Sequence, residues 1–412
     1  MPEIATTLRE LIIGIPVGPD TDEATGRQVS TLASATAGEH RTVVGARPGA
    51  PVSGGEGLPR AGSGVIDVPY TLRPQDAQDM PYHGVAGRAR AIHAILNRAR
   101  AADAACLIVD ARAAEPAGWI DGFVEALTGD QADFVGPVYG RHPFSSGLTH
   151  GILAPLFAAL YGHRLQHPVA LHFACSARLI AAVLDDPMWD SGAAQPAIDW
   201  ELASAAAAAN WRMAEAPVTT GAREERPILG LSTTAAQLLG LVFADIERQV
   251  RVWQRVRGSK PVRRVHATPE YGPVPAVDAA ALAESFRSAY RDLHDVWEEV
   301  LPPLSILQWR RLTTVSQDGF RVPDPMWART IYDFAMGHRL RVIPRPDLLH
   351  SLTPLYLAWL ASFVLETQGA PAEAIDARLA RVRTAFEQEK RYLVSQWRWP
   401  ERFKPVKLRR PR

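Results

Sequence analysis

Through the first half of the chain, short runs of apolar and β-branched residues alternate with longer stretches whose apolar positions recur every three or four residues. Leu11-Ile12-Ile13-Gly14-Ile15-Pro16, Thr42-Val43-Val44, Val65 to Val68, Ala105 to Asp110 and Asp133 to Val138 read as strands. Ala24 to Ala35, Val85 to Ala102, Trp119 to Leu127 and Leu148 to Tyr161 carry helical spacing. Such alternation predicts parallel strands in an α/β sheet. Ligands of open α/β sheets collect beyond the carboxyl ends of the strands, so Pro16 to Asp20, Asp110 to Glu115 and Tyr139 to His142 are expected to line one crevice.

The pattern changes near residue 260. Lys260 to Val277 carries Pro261, Pro269, Pro273 and Pro275 and reads as a linker, and from Asp278 onward the spacing is almost wholly helical. The expected layout is an α/β domain over residues 1–260, a Pro-rich linker over 261–277 and a helical domain over 278–412. Trp327, Tyr332, Phe334, Tyr356, Trp359 and Phe363 recur at helical spacing and are expected in a core. The longest apolar stretch, Pro354 to Leu365, falls short of the roughly 18–20 residues that span a bilayer; Thr353-Pro354 reads as the start of a buried helix. Ala46 to Gly64, rich in Gly and Pro, has no P-loop pattern and reads as a surface loop.

A length of 412 residues with 47% hydrophobic content supports a sizeable core and two packed units. A net charge of +1, from 45 basic and 44 acidic residues, provides no field that would draw the chain to nucleic acid or an anionic membrane. The basic tail, Lys404, Lys407, Arg409, Arg410 and Arg412, reads as a solvated end. Cys106 and Cys175 sit in apolar sequence without CxxC spacing, so a reducing cytoplasm without a structural disulfide is expected. The acidic and polar start of the chain lacks the order of a signal peptide. The sequence leaves open whether one chain acts alone or as a homodimer.

Tyr139-Gly140-Arg141-His142-Pro143-Phe144, Gly147-Leu148-Thr149, Pro155-Leu156, Ala159-Leu160-Tyr161-Gly162, Pro168 and Ser176 together resemble the retaining GT-A glycosyltransferases of the mannosylglycerate synthase and glucosyl-3-phosphoglycerate synthase type. Gly14-Ile15-Pro16 is similar to that family's first strand, Pro81-Tyr82-His83-Gly84 to the segment before its phosphate motif, and Trp327 with Tyr332-Asp333-Phe334 to its helical C-terminal region. The resemblance implies a GT-A, Rossmann-like nucleotide-sugar domain followed by a helical domain. It also implies a nucleotide diphosphate sugar held with Mg²⁺ or Mn²⁺, and transfer of a hexose to a small polar hydroxyl acceptor with retention of configuration. Pro16 then belongs to the donor-binding positions.

Several positions depart from the family pattern. Its Asp-x-Asp, whose carboxylates hold the divalent ion on the leaving diphosphate, reads here as Asp110-Ala111-Arg112, and a guanidinium repels a cation. Its Gly-Lys-Gly phosphate motif reads as Gly87-Arg88-Ala89, which keeps the positive charge. Its Gly-Gly-Asp becomes Ala170-Leu171-His172. Its Gly-x-Lys-x-His becomes Gly221-Ala222-Arg223-Glu224-Glu225, with Glu225 where a metal-ligating histidine is implied. Asp110 and Glu225 are thus the candidate metal ligands.

Arg88, Arg112 and Arg223 can together neutralise a departing diphosphate, since preorganised cations stabilise developing charge without a metal. The opposing reading pairs them with Asp110, Glu224 and Glu225 in a relic pocket, leaving a catalytically impaired protein with a nucleotide-binding or partner-binding role. Asp110, His172 and Asp199 are the candidate catalytic residues. Asp199, at a helix start, either meets an acceptor hydroxyl or caps the helix. His163 and His167 straddle a helix end and a strand and make a poor zinc site. His142, after Arg141 at a strand end, is a better functional candidate, since the family resembled also carries Arg-His there; the alternative is that it only orients its loop.

Overall fold

The computed structural model describes residues 10–18, 23–36, 40–49, 65–73, 82–110, 117–190, 197–218 and 230–400. In chain order these form β1 (Leu11–Pro16), α1 (Glu23–Thr36), β2 (Arg41–Pro48), β3 (Val65–Tyr70), α2 (Arg88–Ala101), β4 (Ala105–Ile108), α3 (Ile120–Leu127) and β5 (Phe134–Tyr139). A π-helical turn, Thr149–Leu153, then leads into α4 (Ala154–Tyr161), β6 (His163–Arg164), β7 (Phe173–Cys175), α5 (Ala177–Val183), α6 (Ile198–Ala208) and β8 (Met213–Val218). The remainder comprises α7 (Leu231–Arg248), α8 (Val250–Trp253), β9 (Lys260–Pro261), β10 (Arg263–Arg264), α9 (Ala279–Val300), α10 (Pro303–Leu312), α11 (Asp324–Leu340), α12 (Arg345–Thr367) and α13 (Ala372–Arg398).

The main sheet has the strand order β10-β8-β5-β7-β4-β1-β2-β3. Its neighbours run parallel except at β7, which is antiparallel to both β4 and β5. This is the α/β sheet of mainly parallel strands that the alternating pattern predicts, and it fits the Rossmann-like domain that the resemblance implies. β1 is buried along its whole length between β2 and β4. A parallel strand covered on both faces needs a continuous apolar run, which Leu11 to Ile15 supply. β2 extends through Pro48, so the start of the stretch expected as a loop is strand, held by pairing of Ala46 to Pro48 with β3. Residues 50–64 of that stretch lie outside the described residues.

The chain steps outward from β1 through β2 to β3, then returns to the opposite side of β1 as β4. This reversal makes a topological switch point between the carboxyl ends of β1 and β4. Cys175 of β7 stands opposite Cys106 of β4; both thiols are free, and burial pushes both pKa values up.

The described residues fall into two compact units. The first draws on Met1–His142, Tyr161–Gly230 and Lys260–Pro273 and contains the main sheet. Its core includes Ile13, Leu107, Val109, Trp119, Phe123 and Val135. Within the Pro-rich stretch, Arg263–Arg264 pair with Ala214 and Glu215 at the sheet edge.

The second unit draws on Pro143–Leu160, Leu231–Ser259 and Val274–Arg412, and its described elements are helical. Trp327, Tyr332, Phe334, Tyr356, Trp359 and Phe363 are all buried, as expected of a core. Trp359 stacks on Trp327 at 5.8 Å and on Phe363 at 5.4 Å, and Trp327 Nε1 donates to Gly151 O at 2.8 Å. α12 corrects one expectation. It begins at Arg345 behind Pro344, and Pro354 lies inside it rather than at its start. The missing donor leaves the carbonyl of His350, an exposed residue, without its helical partner, while Leu348, Leu349 and Leu352 bury the turns before the proline. Among the described residues α12 alone is long and apolar enough to cross a membrane, and 78% of its apolar window is buried within the protein, as in a core helix.

Candidate functional site

The switch point is tied together by main-chain bonds. Val109 N donates to Gly14 O at 2.9 Å, and Val17 N to Ala46 O at 2.9 Å, so β1, β2 and the end of β4 stay in register as far as Val17 and Asp110. Asp110 stands two residues beyond β4 and is 6% exposed. α2 begins at the same end of the sheet. The Tyr70 hydroxyl is shared between Val17 O at 3.1 Å and Ala86 O at 3.0 Å, which links the end of β1 to the approach to α2. Gly87 enters α2 at φ +68°, and a Cβ there would lie 2.6 Å from Leu72 Cδ1. Only glycine meets both demands without strain.

α2 is 14 residues long, has no acidic residue in its first turn and no side-chain cap. In its first turn Arg88 N donates to Val85 O at 3.2 Å and Arg90 N to Gly87 O at 2.9 Å, and the helix dipole places partial positive charge at this end, where a phosphate is favoured. The first residue, Arg88, adds a formal charge. Its Nη1 donates to Asp199 Oδ1 at 3.2 Å and its Nη2 to Leu171 O at 3.2 Å. Asp199 Oδ2 accepts from Ala170 N. Arg88 and Asp199 thus hold the Ala170-Leu171-His172 segment from one side. Burial raises the Asp199 pKa, and the charge of Arg88 opposes that rise.

His172 immediately precedes β7, and because β7 runs antiparallel it lies at the carboxyl ends of its neighbours. The Tyr139 hydroxyl is 2.7 Å from His172 Nδ1, and the imidazole packs edge-on against Trp119 at 5.2 Å. The Tyr82 hydroxyl is buried; burial pushes its pKa well above 10, and it senses the charges of Asp199, Arg88 and Asp110 as well as Tyr139. Beyond β5, Gly272 N donates to Gly140 O at 2.6 Å, and a Cβ on Gly140 would lie 2.7 Å from Glu270 O. His142 packs against Tyr271 at 5.8 Å, and burial lowers its pKa.

Of the residues singled out from sequence, Pro16, Gly87, Arg88, Asp110, His172 and Asp199 gather at this end of the sheet. Arg112, Arg223, Glu224 and Glu225 lie outside the described residues. The capping position of α6 is Ala197, without a side-chain bond; the Asp199 carboxylate accepts from Arg88, from Ala170 N and from its own first-turn N–H. Arg88 is paired with Asp199, 111 positions away. Tyr82 was visible only as part of a motif and Tyr139 only as part of a motif and of an expected crevice edge; nothing in their spacing marks the hydroxyls.

Among the described residues no group of three His, Cys, Asp or Glu is placed to hold a metal ion. Of the two candidate metal ligands, Asp110 is described just beyond the end of β4 and Glu225 lies outside the described residues.

No family model matches the chain, and no curated protein matches it. Solved structures align with it in part. A glucosyl-3-phosphoglycerate synthase from Mycobacterium tuberculosis in complex with uridine diphosphate is 17% identical over 63% of this chain and 90% of its own, with a TM-score of 0.40. The same enzyme with Mn²⁺, UDP-glucose and phosphoglyceric acid is 17% identical over 58% of this chain and 79% of its own, with a TM-score of 0.36. A structure described only as a mycobacterial protein is 20% identical over 58% of this chain and 74% of its own, with a TM-score of 0.37. The named structures are of the type that the sequence motifs resemble. Likeness of this degree assigns no residue here.

Proposed function

We propose that this protein transfers a hexose from a nucleotide diphosphate sugar to a small polar hydroxyl acceptor, retaining the anomeric configuration. The observation that carries the reading is the meeting of a glycine-initiated helix, led by Arg88 and without a side-chain cap, with the β1/β4 switch point. The diphosphate belongs at that helix end, with Pro16 and Gly87 allowing close approach and Arg88, Arg112 and Arg223 supplying positive charge. Asp110 faces the donor, and His172 and Asp199 stand on the acceptor side. In the transfer the bond from the anomeric carbon to the diphosphate breaks, the diphosphate leaves with the electron pair, and the acceptor oxygen bonds to that carbon as its proton passes to the leaving group.

A divalent cation, where used, would meet Asp110 and Glu225 and supply Lewis-acid stabilisation of the leaving diphosphate. The protein is proposed to work in the reducing cytoplasm. A second reading, an impaired relative that binds a nucleotide or a partner without turnover, is favoured by the closed Arg88–Asp199 pair, which leaves Arg88 only 2% exposed.

Calorimetric titration with UDP- and GDP-sugars, each with Mn²⁺ and with EDTA, tests the proposal. Binding that persists in EDTA supports an arginine-based site, and turnover in an acceptor screen then excludes the second reading. No binding in either condition overturns the donor-sugar reading. Arg112→Asp should strengthen Mn²⁺ binding in the relic case and weaken metal-free nucleotide binding in the arginine-clamp case.

A further inference from the structure

Tyr139 closes β5 with its ring edge-on to His167 at 4.9 Å and to His172 at 5.8 Å, and with its hydroxyl 2.7 Å from His172 Nδ1. The guanidinium carbon of Arg141 lies 4.8 Å from the centre of the Tyr139 ring. A cation over a phenol ring favours electron density on that ring, which makes the hydroxyl a better donor. A neutral imidazole accepts through one nitrogen and donates through the other, so whichever partner occupies Nδ1 decides what Nε2 can do. The ring itself is held between Tyr139 and Trp119.

We propose that Tyr139 is a positioning residue: it donates to Nδ1 of His172 and holds the imidazole with its proton on Nε2. His172 then meets a ligand oxygen as a hydrogen-bond donor and not as a base. Arg141 reinforces this by strengthening the Tyr139 hydroxyl as a donor. The identity of the ligand rests on the donor-sugar reading above, whereas the tautomer is a property of the protein alone.

The test is a long-range proton–nitrogen correlation spectrum of protein carrying ¹⁵N-histidine, with the His172 signals identified by their loss in His172→Gln. The wild type should show a protonated Nε2 and an unprotonated Nδ1. Tyr139→Phe, which keeps the ring contacts and removes the hydroxyl, should move His172 towards a mixture of tautomers. In turnover assays the same variant should lower kcat about tenfold or more, with donor KM within about twofold. A proton on Nδ1 in the wild type, or an unchanged His172 signature in Tyr139→Phe, overturns the proposal; the wild-type spectrum decides alone should the variant not fold. Failure of any nucleotide sugar to bind the wild type would overturn the donor-sugar reading while leaving the tautomer result to stand or fall by itself.

Discussion

Arg88 and Asp199 stand 111 residues apart in the chain and meet at 3.2 Å with only 3% and 2% of their side chains exposed. A pair this deeply buried has lost most of its hydration, and its attraction offsets that loss only while both members remain. Asp199→Ala should therefore lower unfolding free energy by about 3–5 kcal/mol, because it strands the guanidinium. Combining Arg88→Met with Asp199→Leu should cost less than Asp199→Ala alone. Urea unfolding of the variants checks this, and additive losses would show that the two residues do not act as a unit. Burial raises the Asp199 pKa, so its protonation contributes stability that is full below the ordinary 3.8 and is lost as pH rises through the folded value.

Gly87→Ala should be destabilising at the site itself. A φ of +68° costs an L-residue about 1–2 kcal/mol, and the new methyl would press on Leu72 Cδ1 at 2.6 Å and the Tyr70 ring at 3.0 Å. The loss should be visible in thermal melting; an unchanged melting temperature would show that Leu72 and the backbone at residue 87 adjust without cost.

The acid limb of stability should depend on Glu247. Burial raises its pKa, but the bonds from His338 at 2.7 Å and from Arg345 at 2.9 and 3.1 Å outweigh this and set it below the ordinary 4.5. A depressed carboxylate contributes stability that is present above the unfolded value and lost as pH falls through the folded one. Glu247→Gln should thus reduce stability at neutral pH by about 1 kcal/mol and flatten the decline below pH 4.5, measured by denaturant titration at several pH values. A parallel decline in wild type and variant would remove Glu247 from that role.

Lys390 predicts the opposite limb. Its ammonium donates to Ala159 O at 2.6 Å and Val256 O at 2.9 Å, and burial, with Arg257 adding repulsion, lowers its pKa to about 7. The unfolded chain binds this proton up to about 10.5, so between pH 7 and 10.5 stability should rise with pH. The slope approaches about 1.4 kcal/mol per pH unit at most. Lys390→Met should abolish that rise; a rise that survives the substitution would place its origin elsewhere.

The run Leu11 to Ile15 and its alternation with helical spacing were enough to read a parallel α/β sheet, because a strand buried on both faces has little choice but to be continuously apolar. The same logic read Trp327 to Phe363 as core. The placement of Pro16, Asp110 and Tyr139 at the carboxyl ends of β1, β4 and β5 also followed, since each closes an apolar run.

Beyond that, distance along the chain hid what packing decides. β7 has three residues, too few for any periodicity, and only its neighbours β4 and β5 make it a strand; its antiparallel direction is what brings His172 to the carboxyl ends of those neighbours. The start of α12 eluded the local signal at Thr353-Pro354 because burial of Leu348, Leu349 and Leu352 outweighs one missing hydrogen bond. The sequence by itself determined the class of fold and the residue types available for chemistry, through patterns that short-range periodicity imposes. Tertiary structure alone decided that Arg88 closes on Asp199 and that Tyr139 reaches His172, because a buried polar group takes the partner that folding delivers to it, however remote in sequence.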